Sequence, residues 1–156
     1  MAHTLRIPLI ADVTDPIAAR LRTLQSLSEM DGTGDFLGQL PGEALARFAL
    51  EGEVLHLRAG QELGWSAGHW GELFVILDGV MALETDGNER WLCLGDPIGA
   101  LGGGAGEVAY PIVALTDVRI LALPHGTLQR LAADRPTVAT ALLRALAGVA
   151  AARLAA

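Results

Sequence analysis

Beyond Glu51-Gly52 the chain breaks into short apolar or alternating runs, each closed by turn residues, and this spacing restricts the fold more than any other feature. The runs fall at 53–58, 73–77, 80–84, 90–94, 112–115 and 118–123. Segments of this length bounded by Gly, Asp and Asn read as strands, and their succession predicts a sandwich or roll. Thr85-Asp86-Gly87-Asn88-Glu89 supplies a hairpin turn, and Asp78-Gly79 a tighter bend where a side chain would obstruct.

Helices are expected on both sides of the strands. From Thr14 to Met30 the apolar positions Ile17, Leu21, Leu24 and Leu27 recur at steps of three and four, after an Asp15-Pro16 start. Asp31-Gly32-Thr33-Gly34 breaks this helix. A second one follows, with Pro41 in its first turn, Glu43 near its positive end and Leu45, Phe48 and Leu50 inward. At the other end, 127–133 reads as a short helix and 137–154 as a long one. The long helix carries Val138, Ala141, Leu142, Ala145, Leu146, Val149 and Ala152 along one face, with Arg144 and Arg153 away from it. The expected division is a helical extension over 1–34 and a strand-rich domain with closing helices over 35–156.

Composition excludes several classes. A chain of 156 residues with 51% hydrophobic content has the material for one ordinary core. Its net charge of -7, from 18 acidic and 11 basic residues with every basic one arginine and no basic cluster, disfavours nucleic acid and anionic membranes as partners. A single cysteine, Cys93, can build neither a disulfide frame nor a thiolate metal site, and its apolar neighbours suit a small buried hydrophobe. No apolar run is long enough to span a bilayer. A soluble cytoplasmic protein is the expectation.

The order of elements resembles the cyclic nucleotide-binding domain of the catabolite activator protein family and of cyclic nucleotide-regulated kinases and channels. The resemblance runs from about Asp35 to Leu154. It is carried by Asp35-Phe36-Leu37-Gly38-Gln39-Leu40-Pro41 at the first domain helix, by Leu57-Arg58-Ala59-Gly60-Gln61-Glu62-Leu63 and Leu73-Phe74-Val75-Ile76-Leu77-Asp78-Gly79-Val80, and by Leu94-Gly95-Asp96-Pro97-Ile98-Gly99-Ala100-Leu101. It implies a mainly β double-stranded β-helix, or jelly-roll, with flanking helices and a long C-terminal helix.

The last of these stretches has the frame of the family's phosphate-holding cassette without its charges. Family members place a glutamate after Gly-Glu-Leu-like glycine for the ribose hydroxyl, and an arginine followed by a hydroxyl about ten residues on for the cyclic phosphate. Here the ligand-pocket positions are Gly99, Ala100, Leu101, Val108 and Ala109: the glutamate position falls on Ala100, the arginine on Val108 and the hydroxyl on Ala109. The neighbours are Glu107, Tyr110 and Pro111, and no arginine lies from Trp91 to Asp117. A guanidinium–phosphate contact is about twice as strong as a neutral hydrogen bond, and truncating one side of a buried charge pair costs about 2–5 kcal/mol. Loss of cyclic AMP and cyclic GMP binding is therefore expected, with only the backbone amides at Gly99 and Leu101 left for an anion.

Other constellations favour plain structural roles. His56, His69 and Glu72 lack the spacing of a cupin metal site. Gly102-Gly103-Gly104-Ala105-Gly106 lacks the lysine and hydroxyl of a P-loop, and Ser66 has no strand-to-helix elbow around it. Trp65, Trp70 and Trp91 fit core or rim packing, with cover for the pocket or for a partner surface as the alternative. No cofactor, metal or enzymatic activity is expected. The resemblance implies that the long helix pairs with its twin, here through Val138, Leu142, Ala145 and Val149, and with Ala156 as the last residue of the sequence no DNA-binding helix-turn-helix is expected after it. The reading is a homodimeric, non-enzymatic regulatory or scaffold module that meets a protein partner. The alternative is a small-molecule or cyclic-nucleotide sensor with unusual pocket contacts such as Arg119.

Overall fold

The computed structural model describes residues 10–11, 16–30, 36–63, 73–85, 87–99 and 112–155. In chain order these form β1 (Ile10–Ala11), α1 (Ile17–Ser28), a 3-10 turn (Leu37–Gln39), α2 (Gly42–Glu51), β2 (Glu53–Leu57), β3 (Leu73–Asp78), β4 (Met81–Thr85), β5 (Asn88–Leu92), β6 (Pro97–Gly99), β7 (Ile112–Ala114), β8 (Val118–Leu123), α3 (Thr127–Asp134) and α4 (Pro136–Ala155). The strands pair antiparallel in two sheets, β1-β2-β8-β3-β6 and β5-β4-β7. This is the antiparallel, helix-flanked architecture expected from the runs of short strands.

Alternation along the strands sorts the buried apolar strand residues, Ala82 apart, into two cores. Leu55, Leu57, Phe74, Ile76, Val118, Ile120 and Ala122 point to the smaller sheet, where they meet Met81, Leu92, Ile112 and Ala114. The other set, Val54, Leu73, Val75, Leu77, Leu121 and Leu123, packs under the helices, with Leu24 and Leu27 of α1, Phe48 of α2, Leu131 of α3 and Leu142 and Leu146 of α4. The helix core therefore includes α1, although Ile17, at the head of its apolar stripe, remains 47% exposed.

Local departures from the sequence reading have physical reasons. Strand β5 starts and ends two residues early, because Thr85 already pairs with Asn88, directly after Gly87 at positive φ. Cys93 consequently lies past the strand, half-buried in a turn, and not inside an apolar strand. Leu50 is 62% exposed, since two residues beyond Phe48 the helix has turned through about 200°; Ala44, Leu45, Phe48 and Ala49 form the inward face instead. At Gly79 (φ 95°) an added Cβ would sit 2.5 Å from the Asp117 carbonyl, so the expected obstructed bend is present.

Ionic contacts fasten α3 and the Arg135 junction before α4 to α2. Glu51 accepts from Arg130 at 2.6 Å and Arg47 at 3.2 Å, Arg47 also reaches Asp134 at 3.4 Å, and Arg135 pairs with Glu43 at 2.6 Å. Burial raises the Glu51 carboxyl, but hydrogen bonds from Arg130 and Arg47 outweigh it and hold the group below the usual glutamate range.

Candidate functional site

Leu94–Gly99, the described part of the cassette frame, is a strand-anchored turn. Gly95 adopts φ 85° and donates its N–H to Ile76 O at 2.7 Å, while Ile76 N–H donates to Asp96 O at 3.0 Å. The Asp96 carboxylate accepts Cys93 N–H at 2.7 Å, closing the turn on itself. Pro97-Ile98-Gly99 then pairs with Val75-Phe74-Leu73 as β6. The amides of Gly95 and Asp96 are thus engaged within the protein, and Gly99 leaves β3 at φ 95°, a conformation other residues rarely adopt. Ala100, Leu101, Val108 and Ala109 lie outside the described residues, as do the glycine run at 102–106, Trp65, Trp70, His69 and Glu72.

The space between the sheets, from which the cassette departs, is filled by hydrocarbon. Among the described residues only Gln61 and Thr127 are buried polar side chains, and neither belongs to the apolar cluster between the sheets. Arg119 does not enter that space. Its backbone stands in register with His56 of β2 and Asp78 of β3, and it belongs to the alternate set of β8 side chains, opposite Val118 and Ile120. It also lies at the far end of β3 from Gly99, about 16 Å away at ~3.3 Å per residue.

The stripe assigned to the C-terminal helix is spent within the chain. Val138, Leu142 and Ala145 are buried in the helix core and Val149 packs partly against it. What α4 turns outward is the other side, with Leu143 at 49% exposure flanked by Arg144, Ala147 and Gly148. Trp91 is 63% exposed on the outer face of the smaller sheet, opposite Ala82, away from the interior.

One polar concavity was not evident in the sequence. At the end of the larger sheet remote from Gly99, a cavity of about 420 Å³ is bounded by His56, Leu57 and Arg58 at the end of β2, Gln61, Asp78 at the end of β3, and Asp117, Val118 and Arg119 at the start of β8. These residues come from strand ends far apart in sequence, so no local motif announces them; the only signal is a charge at or just beyond each strand end, at Arg58, Asp78 and Asp117. Among the described residues no group of His, Cys, Asp and Glu is placed to hold a metal ion, and no described helix is long and apolar enough to cross a membrane.

This architecture has close counterparts among solved structures. A chain from a cyclic-GMP-dependent signalling pathway that regulates bacterial phytopathogenesis is 30% identical, with 71% of the present chain and 94% of the other covered and a TM-score of 0.55. The N-terminal domain of a transcriptional regulator from Streptomyces coelicolor is 33% identical over 76% and 88% of the two chains, TM-score 0.55. A cyclic nucleotide-binding domain from Methylobacillus flagellatus shares 15% identity over 94% and 82%, TM-score 0.62. No family model and no curated protein matches the sequence. The chain has the fold of the cyclic nucleotide-binding domain. It is a domain of the kind that regulatory proteins carry.

Proposed function

We propose that the chain is a non-enzymatic regulatory or scaffold module of the cyclic nucleotide-binding fold that no longer binds cyclic AMP or cyclic GMP at physiological concentration. The observation that carries this reading is the lack of any arginine from Trp91 to Asp117, with Ala100 and Val108 at the positions of the family's glutamate and arginine. The apolar filling between the sheets supports it, because a cyclic phosphate without a guanidinium would lose its strongest partner on leaving water. Titration of each nucleotide into the protein by calorimetry is expected to give no heat at micromolar concentration; a micromolar dissociation constant for either would overturn the reading. The second reading, a cyclic-nucleotide sensor with unusual contacts, is favoured by the 30% identity to the chain from the cyclic-GMP-dependent pathway, and the same titration decides between them.

In this reading the module works as a homodimer in the cytoplasm. The exposed Leu143 side of α4 supports pairing through that helix, since a 20-residue helix with an outward leucine and small neighbours offers a second copy a close approach.

A further inference from the structure

The cavity at the end of the larger sheet has the composition of a ligand site. We propose that it binds a small zwitterion of the α-amino acid class, the carboxylate held by Arg58 and Arg119 and the ammonium by Asp78 and Asp117. The inference goes beyond the regulatory reading and stands independently of it, because the cavity and the cassette lie at opposite ends of β3.

Charge selects the ligand. Among the described residues two guanidiniums and two carboxylates line the cavity, and their charges sum to zero. A simple anion would be attracted by the arginines and repelled by the aspartates at comparable range, and a simple cation the reverse. A molecule carrying both charges a few ångströms apart gains from both sets. Arg58 and Asp78 make no side-chain hydrogen bond or ion pair among the described residues, so each offers its charge to a ligand.

The wall is also preorganised. Gln61, 2% exposed, accepts the Arg58 N–H at 3.1 Å, and Asp117 accepts the Ala59 N–H at 3.0 Å. Gly60, at φ 90°, donates to Ala114 O at 2.7 Å. These bonds fix the 58–61 turn over the cavity before anything binds, which lowers the ordering cost of a small ligand. A volume of about 420 Å³ lies in the lower half of the range for small-molecule sites, enough for an amino acid and too small for a long peptide.

The test is the thermal melt of the full chain with each of the common amino acids, and with sodium acetate, methylammonium chloride and sodium phosphate, all at about 10 mM. At least one amino acid is expected to raise the Tm by about 2–4 °C, with acetate, methylammonium and phosphate each giving less than half of that. Arg58→Gln and Asp78→Asn, at exposed positions, are expected to melt near wild type without ligand and to lose the shift. Failure of every amino acid, an equal shift from acetate or phosphate alone, or retention of the shift in both variants would overturn the proposal. Should either variant fold poorly, amide resonances of the wild-type chain give the answer: the amino acid must move Ala59, Gly60 and Val118, and movement confined to other amides refutes the site.

Discussion

Arg20 closes the end of a helix to which it does not belong. The last turn of α2 has no basic residue of its own, and Arg20, one helix earlier, donates from Nη1 to the carbonyls of Ala49, at 3.0 Å, and Gly52. These are the orphan acceptors every helix leaves at its C-terminus. Arg20→Ala is expected to lower stability by about 1.5–3 kcal/mol in urea denaturation, the range for hydrogen bonds involving a charged group. Lysine at that position, with a single ammonium in place of a fork, should recover only part of the loss. The sequence did not disclose this role, because a chain whose basic residues are all arginine gives no sign of where a guanidinium is needed. Gly79 is the opposite case. Asp-Gly between apolar runs is informative by itself, and the steric reason for the glycine was visible before the fold was.

At the scale of elements, the ionic contacts among α2, α3 and α4 make one face of the molecule sensitive to acid. Glu51 titrates below its ordinary value near 4.5 when folded, so its contribution is fully present above that value and is lost as pH falls through the folded one. Glu51→Gln is therefore expected to be less stable than wild type at pH 7 and to lose less stability between pH 7 and pH 3, as read by chemical denaturation at the two pH values. The same elements show what periodicity reveals and what it withholds. The stripe Val138, Leu142, Ala145, Val149 was readable from spacing alone, but spacing does not say what a stripe packs against; here it is Leu131, Phe48 and the sheet. Strand β6 escaped notice because proline opens it and only three residues pair. The ligand-sized cavity escaped because Arg58, Asp78 and Asp117 become neighbours only when three strand ends converge.

For the whole molecule, the apolar surface left outside predicts association. With the inner stripe of α4 used within the chain, Leu143 is the large apolar side chain exposed by the described part of the helix. The protein is expected to sediment with twice the mass of one chain, and Leu143→Glu to shift it to the single-chain mass with an unchanged circular dichroism spectrum; a wild-type monomer at high micromolar concentration would count against pairing through this helix. The domain architecture was legible because short runs and turns recur in a fixed order. The cassette positions Ala100, Val108 and Ala109 enter the proposal only as missing charges, since hydrocarbon positions carry no signal about what replaces them.

Strand β8 stands at the centre of the larger sheet, between β2 and β3, and its successive side chains face the two cores in turn. Neither core has a boundary that excludes this strand, so neither can melt while the other persists: loss of Ile120 packing strips the wall behind Leu121. Fluorescence of the tryptophans and far-ultraviolet dichroism should therefore report one coincident thermal transition, with no half-melted form of the domain populated between the native and unfolded chains.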